Sequence, residues 1–430
     1  MRGNTLQKHK ISSISRWRCL LGLFFCVFLV TGCSGVPEES DESGEHWAEV
    51  AQAIATPTRI SGGAAHSLVL KNNGTVWSSG DNAYGQLGDG TSTRRSIPVQ
   101  VQGLTNITTI AAGYNHSLAL RSDGSVWAWG INNSGLLGDG TTTNRSIPVQ
   151  VQGLTSVTVI AAGSHHSLAL RSDGSVWAWG INDFGELGDG TTTNHSIPIQ
   201  VQGLSNISVV ATGSHHSLAL RADGSVWAWG LNTSGELGDG TTTNRSTPIQ
   251  VQGLTDIIAV AAGSHSMALR SDGSVWAWGL NINAQLGDGT ATNRAMPIQV
   301  PGLSNITSIA ACSMHSMALR GDGSAWAWGF NGYGELGDGT TTRRSTPVQV
   351  KNLSYATAIA MGTYHSLAWR ADGSVQAWGY NDYGQLGNGT ATNRTFPVQV
   401  PGLTSVAAGG TYHSLALRTD DPAWSWGDNA

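Results

Sequence analysis

Cysteine is scarce in this 430-residue chain, and three of its four cysteines stand in or beside one N-terminal apolar run. With Cys19, Cys26 and Cys33 set apart there, only Cys312 remains, which excludes a disulfide framework and a cysteine-built metal site. Basic charge is short as well: 23 Lys and Arg face 28 Asp and Glu. Residues 1–32 hold five of the basic residues and no acidic one, so the remainder carries 18 against 28, about −10. A chain this acidic is a poor match for nucleic acid, whose phosphates select basic surfaces. The apolar run Leu20 to Val30 is too short to span a membrane comfortably. The EF-hand succession of acidic ligands is missing, and no glycine cluster stands in a strand–loop–helix context that would cradle phosphate.

What is present is one unit of about fifty residues, copied along the chain. A His-Ser pair recurs with its histidine at 66, 116, 166, 216, 265, 315, 365 and 413, a period that marks a repeat architecture. Within a unit, His116-Ser117-Leu118-Ala119-Leu120 and Val126-Trp127-Ala128-Trp129-Gly130 alternate large and small residues, as strands do. Asp123-Gly124 between them predicts a two-residue hairpin turn. Thr109 to Gly113 and Ile147 to Val151 read as two more strands, and Pro148 confines the latter to a sheet edge. Four short strands per radially repeated unit predict an all-β fold, a β-propeller. Counting elements gives eight His-Ser strands, eight Trp-Gly strands and seven Pro-Val-Gln-Val-type strands, so seven to eight four-stranded blades are expected, with the count leaning to eight, one of them three-stranded. One blade is expected to be closed by strands from both chain ends, because an open ring exposes edges.

The pattern Gly-x-x-His-Ser-Leu-Ala-Leu, Asp-Gly-Ser-Val-Trp-Ala-Trp-Gly, Asn-x-x-Gly-x-Leu-Gly-Asp-Gly closely resembles the repeat of the regulator of chromosome condensation family. The resemblance covers roughly residues 60 to 430. It implies a propeller, usually of seven blades in that family, and says little about activity, because one fold hosts many functions.

Ahead of the repeats, Arg2, Lys8, Lys10, Arg16 and Arg18 precede the apolar run, which ends at Leu29-Val30-Thr31-Gly32-Cys33. This reads as a bacterial lipoprotein signal, with residues 1–32 removed and Cys33 acylated as the membrane anchor. Residues 33–58 then form an acidic linker carrying Glu38, Glu39, Asp41, Glu42, Glu45 and Glu49, and 59–430 the propeller. The expected address is the cell envelope, at an outer membrane or cell surface. Ser34 after Cys33 gives no inner-membrane retention signal.

A histidine beside a serine invites a nucleophile reading, but catalysis needs one convergent site and here the pair occurs eight times. Neighbours on a strand also point to opposite faces, so a buried histidine bonded to nearby backbone is expected, with no catalytic residues, metal or cofactor. The Leu-Gly-Asp-Gly-Thr segments read as tight turns, with aspartates such as Asp89 paired to downstream arginines such as Arg95. In the seventh unit Trp369 and Gln376 depart from the pattern, and a two-residue turn would set them face to face.

Positions that vary between copies are free for function. Aromatics collect in two variable loops: Tyr84, Phe184, Tyr333 and Tyr383 after the Trp-Gly strands, and Tyr114, Tyr364 and Tyr412 before the His-Ser strands. Aromatic side chains on loops of a rigid scaffold suit partner binding, although covering blade edges would also account for them. The expectation is a monomeric, envelope-anchored propeller that binds a protein or polymer partner through one face. Inhibition of a secreted enzyme such as a β-lactamase is a second reading. Guanine-nucleotide exchange is a third, which the family suggests and the exported address disfavours.

Overall fold

The computed structural model describes residues 60–401, 407–411, 413–417 and 423–427. Blade 2 shows how a unit folds: strands Ile107–Ala112, His116–Arg121, Val126–Gly130 and Arg145–Gln150 pair in chain order as an antiparallel meander. The hairpin between the second and third strands is one residue longer than the sequence suggests. Leu120 pairs with Val126, Arg121 N donates to Ser125 O at 2.9 Å, and Gly124 takes a φ of 80°. Three residues therefore form the loop, with glycine in the left-handed position. Asp123 Oδ1 accepts from Ser125 N and Oγ, which explains the aspartate. The same offset separates Trp369 from Gln376: Trp369 opposes Val375 and Gln376 opposes Ala368. The two departures are thus on adjacent pairs rather than one, and the expectation that they face each other is wrong.

Seven four-stranded blades of this kind form a ring, spanning 60–100, 107–150, 157–200, 207–250, 257–299, 306–349 and 356–399. The lean toward eight four-stranded blades is corrected: Ala407–Gly409, His413–Leu417 and Ala423–Gly427 make a three-stranded sheet only. Among the described residues no sheet mixes strands from the two chain ends. The terminal sheet instead packs between blade 7 and blade 1, where Thr411 N donates to Ala64 O at 3.2 Å. As expected, the proline-bearing strand is the outer edge of each blade, and a register shift falls beside its proline.

First strands of successive blades touch one another, which puts them nearest the axis. Just beyond most of them lies a glycine position that tolerates almost no side chain. A Cβ on Gly113 would collide with His116 and stand 2.6 Å from the Gly163 carbonyl oxygen. The same crowding recurs at Gly63, Gly213, Gly362 and Gly410. Cores lie between blades: Trp229 of blade 4 packs with Val159, Leu168, Leu170 and Val176 of blade 3. Each inter-blade core is therefore half one unit and half the next, so no unit stands alone. All strand ends fall into two sets. Loops joining first to second and third to fourth strands share one face, the loop face; the hairpins and blade-to-blade connections share the other.

Candidate functional site

The His-Ser pairs weld neighbouring blades. His66 Nε2 lies 2.9 Å from Ser117 Oγ, one blade on, and the relation repeats from His116 to Ser167 through His365 to Ser414. The partner is thus the serine of the next blade, not the backbone expected from sequence. Ser117 Oγ donates to Gln86 O at 3.0 Å, so the histidine must supply its Nε2–H. Trp129 Nε1 donates to the same carbonyl at 2.8 Å. A serine giving its proton to a carbonyl, beside a histidine giving rather than taking one, is not an activated nucleophile. Burial holds His66, His116, His166, His265, His315 and His365 down to about 3, and His216 to about 4, so all stay neutral near pH 7. At Cys312, which replaces the axial glycine, the thiol lies 3.1 Å from His315 Nδ1 and burial pushes it up to about 11.

A second network shapes the loop face. Buried Asn132 accepts from Leu137 N through Oδ1, while its Nδ2 donates to Asp139 Oδ1 and to the Thr141 and Thr143 carbonyls. Asp139 also caps Thr141 N and pairs with Arg145 at 2.7 Å, which consumes both its oxygens. Asp89, Asp239, Asp288 and Asp338 repeat this with Arg95, Arg245, Arg294 and Arg344, and Asp189 does so with His195. These aspartates form turns, and their hydrogen bonds hold their carboxyls below the usual range against the cost of burial. Among the described residues, no group of three or more His, Cys, Asp and Glu is placed to hold a metal ion.

On this frame the variable aromatics meet in two clusters. In the first, Tyr114 stacks on His165 with ring centroids 6.1 Å apart, His165 stacks on His215 at 5.2 Å, and Phe184 meets His215 edge-on at 5.5 Å. In the second, Tyr333 touches Tyr380 at 4.7 Å and Tyr364 at 6.0 Å, with Phe330 and Tyr383 at the margins. Residues from both variable loops are thus brought to a single face. Tyr84 belongs to neither cluster; its backbone N donates to Gln86 Oε1 and its ring is partly exposed. Tyr412 and Cys33 lie outside the described residues. Sequence reading missed Phe330, Tyr380, His165 and His215 as members. The signal was available: Phe330 and Tyr380 follow Trp-Gly directly, where other units carry Ile131, Ile181 or Leu231.

Beneath the clusters sit buried glutamates. Glu335 Oε2 accepts from Tyr333 N at 2.9 Å and Glu186 Oε2 from Phe184 N at 2.9 Å. Burial lifts Glu335 to about 7.

Fold and site define a repeat propeller that presents variable aromatic loops on one face. An RCC1-like domain model matches residues 31–358, and models of the regulator of chromosome condensation (RCC1) repeat match 372–417 and 356–385. The chain belongs to this family. Human WBSCR16 is similar at 25% identity and a TM-score of 0.67, over 80% of this chain and 99% of that one. Prp20p from Saccharomyces cerevisiae, described with its binding to Gsp1p and histones, is similar at 25% identity and 0.66, over 80% and 91%. Yeast RCC1 (Prp20) bound to Kap60 shares the fold at 23% identity and 0.65, over 89% and 94%. Comparison with curated proteins gives no significant match.

Proposed function

We propose that this propeller is a non-enzymatic binding protein that docks a protein partner on its loop face, through the tyrosine cluster of blades 6 and 7. One observation carries the reading: Tyr333, Tyr364, Tyr380 and Tyr383, from three loops and two blades, converge where the repeat itself requires no aromatic. Tyr333 and Tyr383 keep 37% and 46% of their surface exposed, so the cluster covers little of the core and faces outward. The binding of Gsp1p and histones by Prp20p, and the Kap60 complex of yeast RCC1, support a protein as the partner class. Affinity capture from envelope extract tests it. The wild-type chain should retain a partner that a Tyr333→Ala/Tyr380→Ala variant loses by about thirtyfold or more in affinity. Equal retention by a folded variant would count against the face.

The envelope anchor is the second half of the proposal. It is supported by the Leu29-Val30-Thr31-Gly32-Cys33 sequence ahead of an acidic spacer. Cys33→Ser should move the protein from the membrane to the soluble fraction with its melting temperature unchanged. A variant that still sediments with membranes would reject lipidation at Cys33.

A further inference from the structure

We infer that the docked element is a cationic segment, an arginine- or lysine-bearing stretch laid across the axial mouth of the loop face. The inference rests on the loop face being the docking face. Charge on this face is sorted by radius. At the outer strands, Arg95, Arg145, Arg245, Arg294 and Arg344 are occupied by the turn aspartates, whereas Arg394, opposite Asn388, donates to Thr390 Oγ1, and Arg343 donates to the Ile282 carbonyl. Both lysines of the described residues, Lys71 and Lys351, follow second and fourth strands and so lie on the opposite face. Inside the arginine rim the carboxylates are left without Lys or Arg partners. Asp183 and Asp382 are exposed there, and Glu186, Glu236 and Glu335 are buried.

Glu335 shows what is missing. Its side chain is fully buried, Tyr333 N satisfies Oε2, and Oε1 has no hydrogen-bond partner. No cation is among the groups acting on it, and burial alone carries it up to about 7. An unsatisfied carboxylate oxygen in such a place is costly unless something completes it. The residue whose backbone N binds it is Tyr333, whose ring packs with Tyr364 and Tyr380. Glu186 repeats the arrangement on blade 3: Phe184 N satisfies Oε2, and Oε1 stands 3.6 Å from His215 Nδ1 without a hydrogen bond. Twice, then, an incompletely satisfied glutamate underlies an aromatic surface. A guanidinium or ammonium group on those rings gains a cation–π contact together with the field of the carboxylate below. An acidic segment would meet the same field as repulsion.

The test uses the full chain and three short peptides in which glycine alternates with arginine, lysine or glutamate. The two cationic peptides should bind and the acidic one should not, with affinity falling about tenfold or more as salt is raised from roughly 0.05 to 0.5 M. Glu335→Gln/Asp382→Asn should weaken the arginine peptide about tenfold at unchanged melting temperature. Because Asp382 is exposed, Asp382→Asn alone keeps the test open should the buried change affect folding. Equal binding of all three peptides, binding of none, or an arginine-peptide affinity indifferent to these variants would overturn the inference. A captured partner lost in Tyr333→Ala/Tyr380→Ala yet insensitive to salt and to the carboxylate changes would overturn the cationic segment and leave the docking face standing. Retention of that partner by the tyrosine variant would overturn both.

Discussion

The protein should lose most of its stability between pH 6.5 and pH 5. Seven buried histidines ionise at about 3 to 4 in the folded chain, against about 6.5 when unfolded. As pH falls, the unfolded chain takes up protons first. The stability is therefore complete above pH 6.5 and is lost progressively toward the folded values. At pH 5 each histidine costs on the order of 2 kcal/mol, and seven together cost about 14 kcal/mol, comparable to the whole 5–15 kcal/mol by which a typical domain is stable. Glu335 acts the other way, since its folded value near 7 favours the folded state as pH drops. One carboxyl returns only on the order of 2–3 kcal/mol and cannot offset seven imidazoles. Denaturant titrations at pH 7.5, 6 and 5 would show the decline, and His216→Gln should make it shallower by about one proton. Stability that stays flat from pH 7.5 to 5 would mean these histidines are not the neutral, buried donors described above.

Trp328→Ala should destabilise the propeller by about 3–5 kcal/mol. The indole is fully buried between blades 5 and 6, against Met267, Leu269, Val275 and Leu286. Its Nε1 donates to the Gln285 carbonyl at 2.8 Å, so the truncation opens a cavity and removes a buried hydrogen bond together. Tyr333→Ala, a few residues along, should cost no more than about 1 kcal/mol, because its ring is over a third exposed. Chemical denaturation of both variants gives the comparison. Similar losses would mean the tyrosines are packing elements of the blade rather than a surface kept for a partner.

Periodicity made the blade readable before its coordinates. Strand identity, the outer proline strand and the Asp–Arg pairing each recur in most units, so a local pattern sufficed. What escaped reading depended on contacts between units. The serine that receives His116 is fifty-one residues away in Ser167, and nothing in His116-Ser117 names it. The hairpin register turned on a single residue: Asp-Gly suits two- and three-residue loops alike, and Arg121 pairing with Ser125 selected the longer one. The element count already held a three-stranded eighth unit, and among the described residues that unit is a three-stranded sheet beside seven four-stranded blades. Aromatic clustering was half legible. Variation between copies singled out Tyr333, Tyr364 and Tyr383, but only ring geometry across the blade 6–7 boundary shows that they meet, with Tyr380 at their centre.

Hydrogen–deuterium exchange of the chain with and without its captured partner tests the docking face most directly. Protection should appear in the third-to-fourth-strand loops, at 330–336 and 380–386, and in the first-to-second-strand loop at 362–364. The hairpins at 321–324 and 371–374, on the opposite face, should exchange as they do in the free chain. Protection confined to those hairpins, with the tyrosine loops unchanged, would contradict the account.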